Sequence, residues 1–331
     1  MTDRKIEPGQ KEQFSREALS LAPGAGARGP FSLENGTEYE RWRDIKLAAM
    51  AVTTDDLVVE FKDTANPTRA EQEAIRDRIR RTGMALYVGP AFDSVADSKD
   101  QIRSLAGCFG LHRLDQNPYA DEDAITPLHV AAGTERLEKG RKMYIPYTRR
   151  PINWHTDGYY NTPQRRIRAM VLHCVRQAGQ SGGENALFDP EMVYVLMRER
   201  DPAMVAAFCA DAAMTVPGNA VDDDVVRGDV SGPVFSLNRA DGTLHMRYSA
   251  RQRNMIWADD PDTRNAVAFM HEILSDNGPG EAYIYRHRMA PGQGLLCNNV
   301  LHTRAAFADG DGDREQRMML RARFCDRVAG P

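Results

Sequence analysis

The sequence predicts a mainly β fold with flanking helices, an antiparallel sandwich or barrel. From Met143 onward, short runs rich in β-branched, aromatic and other apolar residues alternate with Gly, Pro and Asp. That is the texture of many short strands joined by turns. Helical periodicity is confined to the first third of the chain and to an insert at about 189–275. With 331 residues, 42% of them hydrophobic, the chain can bury a sizeable core.

Taken in order, residues 1–38 are rich in Gly, Pro and charge and predict a loosely held arm. Residues 39–331 then predict one domain carrying the helical insert. Tyr39 to Ala51 reads as a helix, and Thr53 to Lys62 alternates as a strand. Thr68 with Glu71 forms a capping box for a helix whose apolar face is Ala70, Ala74, Ile75 and Ile79, closed by Gly83. Met84–Val88 is a buried strand, and Ser98 caps a helix ending near Phe109-Gly110. Leu114 to Gly140 is polar and loop-like, and 112–140 is the candidate lid. The strand runs that follow are Met143–Tyr147, Arg168–Val175, Asn185–Phe188, Val234–Leu237, Leu244–Tyr248, Ala282–Arg288, Gly294–Cys297, Ala305–Phe307 and Met318–Phe324. Within the insert, Asp189 and Pro190 open one helix, Pro202 a second, and Ser249–Trp257 and Pro261–Ser275 two more.

A formal net charge of −4 argues for no nucleic-acid partner. No apolar run is long enough to predict a membrane span, and Met1 to Lys5 does not open a signal peptide. Five scattered cysteines without a CxxC predict reduced thiols and a cytoplasmic location. A small-molecule substrate is the expected partner, and homo-oligomerisation is left open.

The organising stretch is Trp154-His155-Thr156-Asp157-Gly158. On an extended backbone His155 and Asp157 point to the same side, so an imidazole and a carboxylate can share one metal ion. A second histidine would complete the two-His, one-carboxylate set of non-haem Fe(II) oxygenases. His302, in Asn299-Val300-Leu301-His302-Thr303-Arg304, is the candidate; composition leaves the other six histidines open as ligands. In Arg317-Met318-Met319-Leu320-Arg321-Ala322-Arg323 the three arginines and Met319 share one strand face. Guanidinium groups on an inward face need anions, and arginine binds carboxylates in bidentate fashion. Gly182-Gly183 serves a turn leading into a strand.

Four segments in register resemble the TauD/TfdA family of Fe(II)- and 2-oxoglutarate-dependent dioxygenases, over roughly 84–326. They are the HTD segment at 155–157, Leu172-His173-Cys174 with Ser181 to Asp189, the Asn299…Leu301-His302-Thr303-Arg304-Ala305-Ala306-Phe307 segment, and Arg317-Met318-Met319-Leu320-Arg321. The resemblance implies a double-stranded β-helix, or jelly roll. It implies Fe(II) held by His155, Asp157 and His302, with 2-oxoglutarate and O2 as co-substrates. It implies Arg317 as the clamp on the distal carboxylate of 2-oxoglutarate, with Arg314 close enough to compete. Arg321 matches a position that in some members meets an anionic substrate group, and Tyr159 and Tyr160 are candidates to line the substrate pocket. Asn185 stands where the family often has the Thr or Ser that assists 2-oxoglutarate, and an amide can also donate there. Asp157 argues against a halogenase, which needs that ligand position vacant. The expected activity is oxidation of a small polar molecule, anionic or zwitterionic, with release of succinate and CO2. The alternatives are a non-catalytic jelly-roll binding protein and a cupin-type metalloenzyme without 2-oxoglutarate; the Arg-rich last strand argues against the latter.

Overall fold

The computed structural model describes residues 18–19, 29–116, 121–130, 145–221, 224–238, 241–251 and 255–329. Most of the arm expected at 1–38 lies outside them, as do 117–120 and 131–140 of the expected lid and 141–144 of the Met143–Tyr147 run. The chain divides into two compact units.

The first unit gathers the described residues of Met1–Ala48, Tyr159–Arg166 and Pro190–Glu281. Its helices include Pro190–Arg200, Pro202–Phe208 and Pro261–Ile273. The last two open as the sequence requires. Asp201 and Asp260 accept from the first-turn amides, and proline stands where no amide partner is needed. An aromatic cluster of Phe31, Tyr39, Trp42 and Tyr194 meets edge-on, and the Arg198 guanidinium lies 3.8 Å from the Tyr39 ring centre. Residues 256–257 form a short strand paired to Met214–Val216 rather than the expected helix over Ser249–Trp257. Trp257 stacks on Phe208 at 5.8 Å, a contact a β position offers and the helical pattern did not reveal.

The second unit comprises Ala49–Gly158, Ile167–Asp189 and Ala282–Pro331. It is the double-stranded β-helix. A six-stranded sheet runs in the order Val58–Glu60, Met84–Val88, Gln293–Cys297, Ala169–Arg176, Met318–Phe324, Ile125–Leu128. A four-stranded sheet runs Ile284–His287, Asn185–Phe188, Leu301–Arg304, Ile152–His155. All pairings are antiparallel except Val58–Glu60 on Met84–Val88.

Strand alternation decides the layers. Met170, Leu172 and Cys174 of the long central strand, with Leu295, Cys297 and Met319, bury against Leu187 and Tyr285 of the smaller sheet. Ala169, Val171 and Val175, with Leu296, Leu320 and Ala322, bury on the opposite face, together with Ile75, Ile79, Ile102 and Leu105 from helices Arg69–Thr82 and Val95–Cys108. Met319 therefore lies on the face opposite Leu320 and Ala322, as the alternation expected for the final strand requires. Truncating a fully buried leucine such as Leu295 would remove ~2–5 kcal/mol of stability.

The Thr68–Glu71 capping box and a left-handed Gly83 bound the first of these helices as expected. The next differs: Ser94, not Ser98, accepts the cap bond, from Asp97, and Ser98 donates its hydroxyl to the Ser94 carbonyl. Thr53 to Lys62 is only partly strand, because Thr53 and Asp56 cap a short 3-10 turn over Thr54–Leu57 first. Within the expected lid, Ile125–Leu128 is an edge strand paired to residues 319–322. Ile145–Tyr147 is a 3-10 turn rather than a strand.

One row of the larger sheet explains a buried polar pair. Gly294 sits between Tyr87 and His173 in register, and a Cβ there would lie 2.2 Å from the tyrosine ring. The missing side chain lets the flanking rings stack at 5.9 Å, with the Tyr87 hydroxyl 3.0 Å from His173 Nδ1. Burial pushes the His173 imidazole down to about 4, so it is neutral when folded at pH 7. In the unfolded chain a histidine binds its proton near pH 6.5. The stability tied to this neutral ring is therefore complete above pH 6.5. It falls by ~1.4 kcal/mol per pH unit as the pH drops toward 4. Denaturant titrations should show the wild type losing stability relative to His173→Gln across that window; parallel curves would refute the effect.

Candidate active site

The site is built where the smaller sheet ends. His155 closes the strand Ile152–His155 and lies opposite His302 in register. Their rings approach to 4.2 Å between centres. Each ring is oriented by its own chain: Nδ1 of His155 lies 2.9 Å from the Asn153 carbonyl and Nδ1 of His302 3.0 Å from the Val300 carbonyl. A carbonyl only accepts, so each neutral ring carries its proton on Nδ1 and leaves the Nε2 lone pair to bind. Burial, reinforced by the neighbouring His302, pushes His155 down to about 3, and burial also lowers His302. Both are neutral at pH 7, the state a metal ligand requires.

Asp157 follows immediately. Its amide donates to Asn299 Oδ1 at 2.8 Å, and Asn299 Nδ2 donates back to the Asp157 carbonyl at 3.0 Å and to the Ile167 carbonyl at 2.8 Å. Asn299 thus replaces a ladder rung just where the strand pairing stops. It adopts a left-handed backbone (φ 53°), which asparagine tolerates better than most residues. Asn299→Ala would strand three buried backbone groups at ~1–3 kcal/mol each. We expect a lower melting temperature and a metal affinity weakened ~10–100-fold, measured by equilibrium dialysis.

The Asp157 carboxylate is ionised: burial alone would raise it, but the charges of Arg321 and Arg323 outweigh burial and hold it far below the usual range. Arg321 Nη1 donates to Oδ1 at 3.1 Å. Among the described residues Oδ2, which is buried, has no hydrogen-bond partner. One ligating atom from each of His155, Asp157 and His302 falls within 4.8 Å of the others. Two neutral imidazoles, a full negative charge and an orphaned carboxylate oxygen fit a divalent cation such as Fe(II).

A small cavity opens beside the final strand, lined by Arg317, Arg288, Asn185, Gly183, Cys174 and Met319 among others, with no carboxylate in its wall. Arg317 is 6% exposed, its amide tied to Asp309 Oδ1 at 2.8 Å and its guanidinium 5.1 Å from the Phe307 ring centre. Burial lowers it to about 10, so it stays charged at pH 7. Among the described residues its guanidinium makes no ion pair within 4 Å. Gly183 clears its path: a Cβ there would lie 3.2 Å from Arg317 Nε. Asn185 is buried and donates one amide hydrogen to the Thr303 carbonyl at 2.7 Å, leaving the other available. Arg314, by contrast, has a side chain 89% exposed, 3.8 Å from Asp93.

Arg304 has a structural task. It donates to the carbonyls of Pro146, Thr148 and Arg150, fixing the chain that feeds the His155 strand. Tyr159 and Tyr160 belong to the first unit, where their rings meet edge-on at 5.1 Å and Tyr159 is buried. Sequence reasoning missed the part played by Asn299, which needs the strand register to be seen, and Arg288, which lies outside every motif.

The profile of the family described as taurine catabolism dioxygenase TauD, TfdA family matches residues 45–323. The chain belongs to the TauD/TfdA family. As a TauD/TfdA member it is an Fe(II)- and 2-oxoglutarate-dependent dioxygenase. No curated protein matches it. Among solved structures it is similar to PvcB from Pseudomonas aeruginosa at 15% identity, with 81% of this chain and 84% of that chain covered and a TM-score of 0.53. It is similar to the non-haem iron oxygenase OrfP, in complex with Fe, succinate and (3R,4R)-dihydroxy-L-Arg, at 14% identity, 79% and 82% coverage and a TM-score of 0.54. An asparagine oxygenase in complex with Fe(II), 3-hydroxyasparagine and succinate aligns at 15% identity, 88% and 92% coverage and a TM-score of 0.50. At such identities the likeness speaks for the TauD/TfdA fold.

Proposed function

We propose that His155, Asp157 and His302 hold Fe(II), that Arg317 holds the distal carboxylate of 2-oxoglutarate with Asn185 beside it, and that the oxidised substrate is a small zwitterion of the amino-acid class. The observation that carries the reading is a buried, ionised Asp157 carboxylate with an oxygen within 4.8 Å of the ligating nitrogens of two oriented, neutral imidazoles. When bound, the ferrous ion would activate O2, the oxidant, with 2-oxoglutarate giving up two electrons as it is oxidised to succinate and CO2 and the substrate giving up the other two. The protein's own groups do the rest. The Asn153 and Val300 carbonyls fix the imidazole tautomers, and Asn299 fixes the Asp157 backbone. Arg321 donates to Asp157 Oδ1 and so holds the carboxylate in place and ionised. The remaining Arg321 donors are the candidates for a substrate carboxylate.

The amino-acid class is favoured because two fold neighbours are complexes with hydroxylated amino acids. Five unpaired cysteines fit the reduced thiols of a cytoplasmic enzyme. A screen of free amino acids for stimulated 2-oxoglutarate turnover, reading succinate, tests the reading. Stimulation by an amino acid supports it; stimulation only by sulfonates or aryloxy acids moves the substrate class.

A further inference from the structure

We propose that Arg288 is a second cationic contact for the distal carboxylate of 2-oxoglutarate, setting the enzyme's preference for a 2-oxo acid that carries a second carboxylate. The inference rests on the reading of the Arg317 cavity as the 2-oxoglutarate site. Arg288 follows the strand Ile284–His287 and lines the same cavity as Arg317 and Asn185. It is solvent-exposed whereas Arg317 is buried, so the two place positive charge at an outer and an inner position of one wall.

The outer arginine is held in place. Arg288 Nη2 donates to the Ala178 carbonyl at 2.8 Å, and Gln177 Nε2 donates to the Met289 carbonyl at 2.8 Å. These reciprocal bonds stitch the loop after the central strand to the loop after Ile284–His287. They use one Arg288 nitrogen and leave the rest of the fork free. Burial pushes the Cys174 thiol up to about 12, while the charges of both Arg317 and Arg288 pull against it, so both fields reach the cavity wall. Among the described residues no ion pair engages Arg288, and no acidic side chain lines the cavity. Two guanidinium groups that make no ion pair among the described residues match one carboxylate, which accepts up to four hydrogen bonds.

The test measures binding of 2-oxoglutarate and of 2-oxovalerate, which lacks the distal carboxylate, to the Fe(II)-loaded enzyme under anaerobic conditions. Wild type, Arg288→Ala, Arg288→Lys and Arg317→Ala are compared. The expected result for Arg288→Ala is 2-oxoglutarate affinity about five- to tenfold weaker and 2-oxovalerate affinity unchanged. Arg288→Lys should recover most of the preference. If both acids weaken equally, the residue merely shapes the wall and the proposal is overturned. If Arg288→Ala binds as wild type while Arg317→Ala does not, the proposal fails and the cavity reading stands. If Arg317→Ala also binds as wild type, the cavity reading falls and this inference falls with it.

Discussion

Asp157→Ala is expected to abolish Fe(II)-dependent succinate formation, and His155→Ala to do the same. The carboxylate is the only anionic member of the candidate set. Its removal also leaves the nearly buried Arg321 without its carboxylate. Breaking a buried ion pair from one side costs ~3–5 kcal/mol, so part of the damage would appear as lost stability. Asp157→Asn keeps the shape and separates the two effects: it should retain the folded circular dichroism spectrum and still give only background succinate. Near-normal turnover by either alanine variant would remove the metal assignment.

Arg317→Ala is expected to raise the 2-oxoglutarate requirement by ~30-fold or more. Truncating one partner of a desolvated charge pair costs ~2–5 kcal/mol, much of it for leaving the other charge unpaired. Steady-state rates against 2-oxoglutarate concentration read this directly. Arg314→Ala should leave the curve unchanged, since that side chain points into solvent. Arg321→Ala should act differently, weakening the hold on Fe(II) more than the hold on 2-oxoglutarate, because its partner is Asp157. A 2-oxoglutarate defect centred on Arg314 would contradict the placement of the clamp.

Much of the fold was legible because local chemistry and burial agreed. Met318–Phe324 reads as a strand and is one, and its alternation already separates Met319 and Arg321 from Leu320 and Ala322. The Thr68–Glu71 box and Pro190 mark helix starts that need no tertiary help. The strand Leu301–Arg304 was visible only as a motif, because four residues with a histidine and an arginine carry little apolar pattern. Ser249–Trp257 misled because Trp257 is placed by stacking on Phe208, a long-range contact.

The site divides the same way. His155 and Asp157 are near in sequence, and His302 was reached through its motif, but their approach depends on the pairing of two strands far apart in the chain. The Asn299 bracket on Asp157 and the Arg321 ion pair exist only in that register. Arg288 enters the cavity through loop stitching, which leaves no sequence signature.

The central claim is that three side chains bind one ferrous ion to which 2-oxoglutarate can chelate. Anaerobic titration of Fe(II) into protein with excess 2-oxoglutarate, following the visible charge-transfer absorption of the chelate, tests it most directly. The account predicts saturation at one iron per chain in the wild type and no such band in His302→Ala. A wild type without the band, or a His302→Ala variant that develops it fully, would contradict the account.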